Sequence, residues 1–199
     1  MGKAQARKRE RQQQRTASAA RTYWHGGPAG LNPGDRLLSP AITGYTSIPD
    51  AYTTALGPFD VGRRNRVYFT VDRQMARGHA AAAGIREGSG SLYRVQPDGE
   101  VEHDPDFPPG ISWCSRSALI LAVDELEVTM TDQQIGQALC RYNTWDDGSR
   151  MYDDAGRIQL SPQMRDLGIR QHTLDTLFPA WVDYAAVLTK LSRRFPTRP

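Results

Sequence analysis

A chain of 199 residues with 39% hydrophobic side chains can bury one core and carry an appendage. It has no apolar run of about 18 residues, which excludes a transmembrane helix, and its charged N-terminus has no apolar stretch behind it of the kind a secretory signal needs. Two cysteines, Cys114 and Cys140, make no disulfide framework, and the four histidines have no ligand spacing with each other or with the cysteines. The expectation is a cytoplasmic monomer with no metal and no membrane contact.

The net charge of +3 is unevenly divided. Residues 1–21 hold seven arginines and lysines against Glu10, a charge of +6, which leaves −3 on the rest. This Gln-, Arg- and Ala-rich stretch has almost no large apolar side chain, so it reads as a basic disordered arm. A solvated tail is the plainer reading of it, and contact with nucleic acid or another polyanion is the functional one.

In chain order, Thr22-Tyr23-Trp24-His25 reads as a strand that Gly26-Gly27 stops. Asn32-Pro33-Gly34-Asp35 is a turn, Arg36-Leu37-Leu38 a short strand, and residues 39–65 a long loop. Arg66–Val71 is the clearest strand, β-branched and aromatic throughout. Asp72 then caps an alanine-rich helix over 73–86, ended by Gly84 and Gly88. Strands follow at Ser91–Gln96 and from Val101 into His103-Asp104, separated by the turn Pro97-Asp98-Gly99. Pro108-Pro109-Gly110 is a loop, and Ser117–Val123 is a further strand. Thr131-Asp132-Gln133-Gln134 is a capping box leading a helix to about Tyr142. Residues 145–160 read as a surface loop or weak hairpin, and 162–168 as a short helix. Pro179 suits the start of a last helix, with Trp181, Tyr184, Ala185, Leu188 and Leu191 on one face.

Several pieces carry a resemblance. They are Tyr23-Trp24-His25-Gly26, Pro33-Gly34-Asp35-Arg36-Leu37, Val67-Tyr68-Phe69-Thr70, the alanine-rich helix, Gly90–Pro97, His103-Asp104-Pro105-Asp106 and Ser112–Ser117. In this order, over residues 22–128, they resemble the small bacterial rifamycin ADP-ribosyltransferases, within the diphtheria-toxin type of ADP-ribosyltransferase. The resemblance implies an α+β fold: an ADP-ribosyltransferase-like split β-sheet core over 22–128, with a mostly helical C-terminal appendage over 129–199. It also implies NAD as co-substrate. His25 would bond the adenine-side ribose, the Gly26 backbone would pair with the nicotinamide carboxamide, and Tyr68 would stack on the nicotinamide. Asp104 would stand by the nicotinamide ribose, where a carboxylate stabilises the oxocarbenium ion that forms as the glycosidic bond breaks.

The family carries a second aromatic in the helix, where this chain has Gly78 and His79; His79 is therefore the candidate second clamp. Asp106 is the rival carboxylate. Asp104 is preferred because the family's acid directly precedes the proline, although an Asp-Pro pair is also common in turns. Arg116 would support the site or touch a phosphate, or simply be exposed. The acceptor implied is a small molecule, a rifamycin-type hydroxyl; a protein or nucleic acid is the alternative. Two other readings are an inactive binding protein with the same fold and an RNA 2′-phosphotransferase. The last is disfavoured because no arginine closely follows His25.

Overall fold

The structure, a computed structural model, describes residues 21–45 and 64–194. The basic arm up to residue 20 and most of the expected 39–65 loop lie outside the described residues. The chain forms two compact units, whose described parts are 21–45 with 64–128, and 129–194. The fold is α+β.

The first unit runs β1 (Tyr23–Pro28), β2 (Arg36–Leu38), the one-turn helix α1 (Pro40–Thr43), β3 (Val67–Thr70), α2 (Arg73–Glu87), β4 (Gly90–Asp98), β5 (Glu102–His103), β6 (Ser112–Ser115) and β7 (Ser117–Glu125). Its seven strands form one sheet in the order β2-β7-β4-β1-β3-β6-β5, with every neighbouring pair antiparallel. β1 pairs along its whole length with β4 but meets β3 at one registered position, Trp24 opposite Thr70. The sheet is thus continuous but nearly divided at the seam between β1 and β3.

Strand alternation sends Tyr23, His25 and Gly27 to one face of β1 and Trp24 and Gly26 to the other. The first face covers the apolar core of this unit, formed by Tyr23, Val67, Phe69, Tyr93, Val95, Trp113, Ala118 and Ile120. Tyr23 sets its ring edge-on to Phe69 and Trp113, at centroid distances of 5.0 and 5.5 Å.

Helix α2 lies on the opposite face. Its start is fixed by the Asp72 carboxylate, which accepts from the amides of Gln74 and Met75 at 2.9 and 3.2 Å. Gly88 ends it in the left-handed conformation. Contact with the sheet is backbone to backbone. A Cβ on Gly26 would stand 1.8 Å from the Ala76 carbonyl oxygen, and one on Gly90 would stand 1.8 Å from that of Ala80. This explains the run of alanines: Ala76, Ala80, Ala81 and Ala83 are buried, and larger side chains would hold the helix off the sheet.

That contact corrects one sequence expectation. Gly26 and Gly27 do not stop β1, which runs on to Pro28 with both glycines paired to β4. The glycine at 26 serves helix packing rather than chain termination. Gly84 likewise does not end α2, which continues to Glu87. A strand absent from the expectations is β6. Its sequence, Ser-Trp-Cys-Ser, has no β-branched residue, yet it pairs with both β3 and β5.

The second unit holds α3 (Asp132–Cys140), α4 (Pro162–Asp166), α5 (Gln171–Leu177) and α6 (Tyr184–Arg194). The capping box before α3 forms as its sequence implies: the Gln134 amide donates to Thr131 Oγ1, and the Gln134 side chain accepts from the Thr131 amide. Residues 145–160 form two tight turns bridged at Thr144–Arg150 and Tyr152–Ile158, in keeping with the weak-hairpin reading, and residues 146–150 are exposed. What the sequence did not signal is that Trp145, Met151, Tyr152 and Ile158 beside these turns are core residues of this unit. One expectation fails here: Trp181 precedes the last helix, which starts at Tyr184.

Trp181 takes a positive φ of 59° and stacks on Tyr152 at 5.8 Å. Its amide donates to the Gly156 carbonyl, and a Cβ on Gly156 would stand 2.5 Å from the indole. A buried indole packed against a bare glycine offsets the cost of that backbone conformation, on the order of 1 kcal/mol. Of the expected helical face, Leu191 is buried; the side chains of Tyr184, Ala185 and Leu188 lie outside those described.

The glycine contact yields a stability prediction. Gly26→Ala is expected to lower the unfolding free energy by about 3 kcal/mol, because its methyl meets helix backbone. In Gly27→Ala the new Cβ meets only the tip of the His25 ring, and a loss of about 1 kcal/mol is expected. Urea denaturation of both variants checks the order, and equal losses would contradict the packing described.

Candidate functional site

The seam between β1 and β3 gathers most of the residues singled out by sequence. His25 leaves β1 at the point where pairing with β3 gives way. Its Nδ1 lies 2.8 Å from the Tyr68 carbonyl oxygen, so the ring takes the place of a ladder bond across the seam. A carbonyl oxygen can only accept, and therefore Nδ1 carries the proton. The other ring nitrogen, Nε2, is left with its lone pair. It sits 2.8 Å from where a Cβ on Gly27 would be, so the bare glycine accommodates the ring. The ring also lies near Tyr93, 6.4 Å between centroids and 26° from parallel. Tyr93 is held by its own hydroxyl, which donates to the Pro28 carbonyl at 2.7 Å.

Burial lowers the His25 pKa below the usual 6.5, and the bond to Tyr68 opposes this in part. His79, half-buried on α2, is pushed down to about 4, first by burial and then by a charge on His25. Both imidazoles are neutral near pH 7. A neutral His25 with Nδ1 protonated presents an acceptor at Nε2, suited to a hydroxyl donor.

Tyr68 and Thr70 leave β3 on the α2 side, the side of Gly26. Tyr68 is opposite Cys114 on β6, and Thr70 is opposite Ser112. β5 pairs Glu102 with Cys114 and His103 with Trp113, so the next residue, Asp104, falls opposite Ser112. The Asp104 amide donates to the Ser112 carbonyl at 3.1 Å, continuing the ladder. Asp104 and Tyr68 therefore share a face, two strands apart. His25 leaves by the opposite face, with its ring turned into the seam.

The Asp104 side chain is buried, 3% exposed. Its Oδ2 accepts from Ser112 Oγ at 2.8 Å and its Oδ1 from the Asp106 amide at 3.1 Å. The rival Asp106 is exposed, as are Arg116 and His103. The His103 ring donates to the Pro108 carbonyl at 3.3 Å.

Ser112 is the site residue that sequence reading passed over as a partner of Asp104. A signal for it exists: Pro108-Pro109-Gly110 between two segments implies a hairpin, and a hairpin there sets Ser112 against Asp104. An open groove lined by Ala186, Thr189, Lys190 and Arg193 on α6 holds none of the sequence-derived candidates. No protein-family model and no curated protein sequence matches the chain. Among the described residues, no helix is long and apolar enough to cross a membrane.

The histidine pair sets a pH dependence. An imidazole that binds its proton less tightly folded than unfolded stabilises the fold above about pH 6.5, and this is lost as pH falls through 6.5 toward 4. Unfolding free energy is expected to fall over that window by about 3 kcal/mol through His79. His79→Gln should flatten the slope, measured by urea denaturation between pH 7 and pH 4. An unchanged slope would contradict the burial of a neutral His79.

Proposed function

We propose that the first unit is an NAD-dependent mono-ADP-ribosyltransferase with the ADP-ribosyltransferase fold. The observation that carries this reading is the arrangement at the seam. A neutral histidine offers an acceptor at one end, and an aromatic ring and a held carboxylate share a face at the other. The near-division of the sheet between β1 and β3 supports it too, since a split-sheet fold needs such a seam.

In this reading a hydroxyl of the adenine-side ribose donates to His25 Nε2. The Gly26 backbone pairs with the carboxamide, and Tyr68 holds the nicotinamide ring by stacking. His79 lines the site as a neutral and weaker second partner. The bond from C1′ to the nicotinamide nitrogen breaks, and its electron pair leaves with nicotinamide. The Asp104 carboxylate stabilises the positive charge that develops on the ribose. An acceptor hydroxyl then attacks C1′ and loses its proton. The acceptor taken from the resemblance is a rifamycin-type hydroxyl, and the setting is the cytoplasm. The charge of +6 on residues 1–21 favours a second reading, a polyanionic or protein acceptor gathered by the arm.

Labelled NAD tests this, with nicotinamide release and transfer to a rifamycin-type drug, to nucleic acid and to cell lysate measured in turn. Asp104→Asn keeps the shape of the side chain and removes its charge, and should lower kcat by on the order of 10²-fold with little change in NAD binding. Asp106→Asn should do much less. Tyr68→Ala should weaken NAD binding by about 1–2 kcal/mol. A wild-type protein that releases no nicotinamide under any of these conditions would overturn the reading.

A further inference from the structure

The two donors to Asp104 differ in origin. The Asp106 amide belongs to the same turn, in which the Phe107 amide also donates to the Asp104 carbonyl at 3.3 Å. Such a turn forms locally wherever an Asp side chain accepts from the amide two residues on. Ser112 is different. It comes from β6, across the loop, and is itself only 3% exposed. Its position is set by backbone pairing on both sides: the Asp104 amide donates to its carbonyl, and Thr70 is its partner on β3.

The neighbouring polar groups leave the serine proton one destination. Thr70, 3% exposed, donates its hydroxyl to the Ile111 carbonyl at 2.7 Å and accepts from the Asp72 amide at 3.0 Å. A hydroxyl has one proton, and that of Ser112 goes to Asp104 Oδ2 at 2.8 Å. Two residues along β6 on the same face is Cys114, fully buried. A small apolar side chain is thus accommodated in this layer, so packing alone does not call for a hydroxyl at 112.

We propose that Ser112 is a positioning residue for Asp104: its hydroxyl holds the Oδ2 edge of the carboxylate, which fixes the negative charge on the face it shares with Tyr68. The inference rests on the ADP-ribosyltransferase reading and adds a residue to it. A buried carboxylate with a donor from each side keeps one orientation, and electrostatic stabilisation of a developing cation depends on the charge being in place beforehand. Without Ser112 the Oδ2 edge loses its donor, and the carboxylate must turn or take up water before the bond to nicotinamide breaks.

The test is steady-state nicotinamide release by the full chain for wild type, Ser112→Ala, Ser112→Thr, Asp104→Asn and the Asp104→Asn/Ser112→Ala double variant, with thermal unfolding of each. Ser112→Ala is expected to lower kcat about tenfold, the scale of one hydrogen bond to a charged group, and to leave KM for NAD within about twofold. Ser112→Thr keeps the hydroxyl and should recover most of the rate. The double variant should be no slower than Asp104→Asn alone, because the serine acts only through the carboxylate. A purely structural serine would lower the unfolding temperature without this split between kcat and KM. Full kcat in Ser112→Ala would overturn the inference, as would losses in the double variant that simply multiply. Should Ser112→Ala fail to fold, Ser112→Cys, of similar size and a weak donor, takes its place with the same expected loss. A wild type that releases no nicotinamide removes the reading and Ser112 with it, whereas a wild type that turns over NAD beside an unimpaired Ser112→Ala removes this inference alone.

Discussion

The bare backbone contact of α2 with β1 and β4 is the constraint on which the rest of the first unit depends. Ala76 and Ala80 approach Gly26 and Gly90 so closely that no side chain fits between helix and sheet. This anchors β1 to α2 and to β4, its full-length partner, while β3 is joined to it at one registered pair. The seam that results is where His25 can reach a backbone carbonyl of the neighbouring strand. Had β1 and β3 zipped along their length, the Tyr68 carbonyl would have a backbone partner and the imidazole would have no role between the strands. β1 thus carries the helix on one face through Gly26 and an open seam at its edge beside His25.

The chemistry of the seam follows from burial acting differently on different groups. Burial keeps His25 and His79 neutral, with the cost of a charged ring outweighing the bond that His25 makes. The carboxylate of Asp104 is more deeply placed and is met by a hydroxyl and an amide, one donor to each oxygen. The row from Asp104 through Ser112 to Thr70, and on to the Asp72 amide at the start of α2, ties the carboxylate to the helix that shapes the seam.

Much of this was readable from local sequence, and the failures have physical causes. The Asp72 cap, the capping box at Thr131 and the strand at Val67–Thr70 depend on residues within a few positions of one another, and they form as expected. The paired glycines of β1 misled because a glycine that stops a strand and a glycine that admits a helix look the same in one dimension. β6 was missed because Ser-Trp-Cys-Ser has weak strand preference, and its place is imposed by β3 and β5 on either side. The turns around Asp146-Asp147-Gly148 and Ala155-Gly156 were legible from their turn residues, but not the burial of Trp145, Met151 and Tyr152 beside them, which depends on contacts with distant helices. Of the candidate site, His25, Gly26, Tyr68, His79 and Asp104 could be named through the family resemblance, residue by residue. The bond from His25 to a backbone carbonyl could not, since any residue at 68 would supply the same oxygen.

The central claim is that the seam holding His25 accepts NAD. Nitrogen-15 NMR of histidine-labelled protein tests it most directly, because the ring nitrogens report both tautomer and contact. The account predicts a neutral His25 with Nδ1 protonated in the free protein, and a saturable shift of its Nε2 resonance on addition of a non-hydrolysable NAD analogue, with His79 shifting alongside. A protonated His25 near pH 7, or resonances of both rings that stay fixed at saturating analogue, would contradict it.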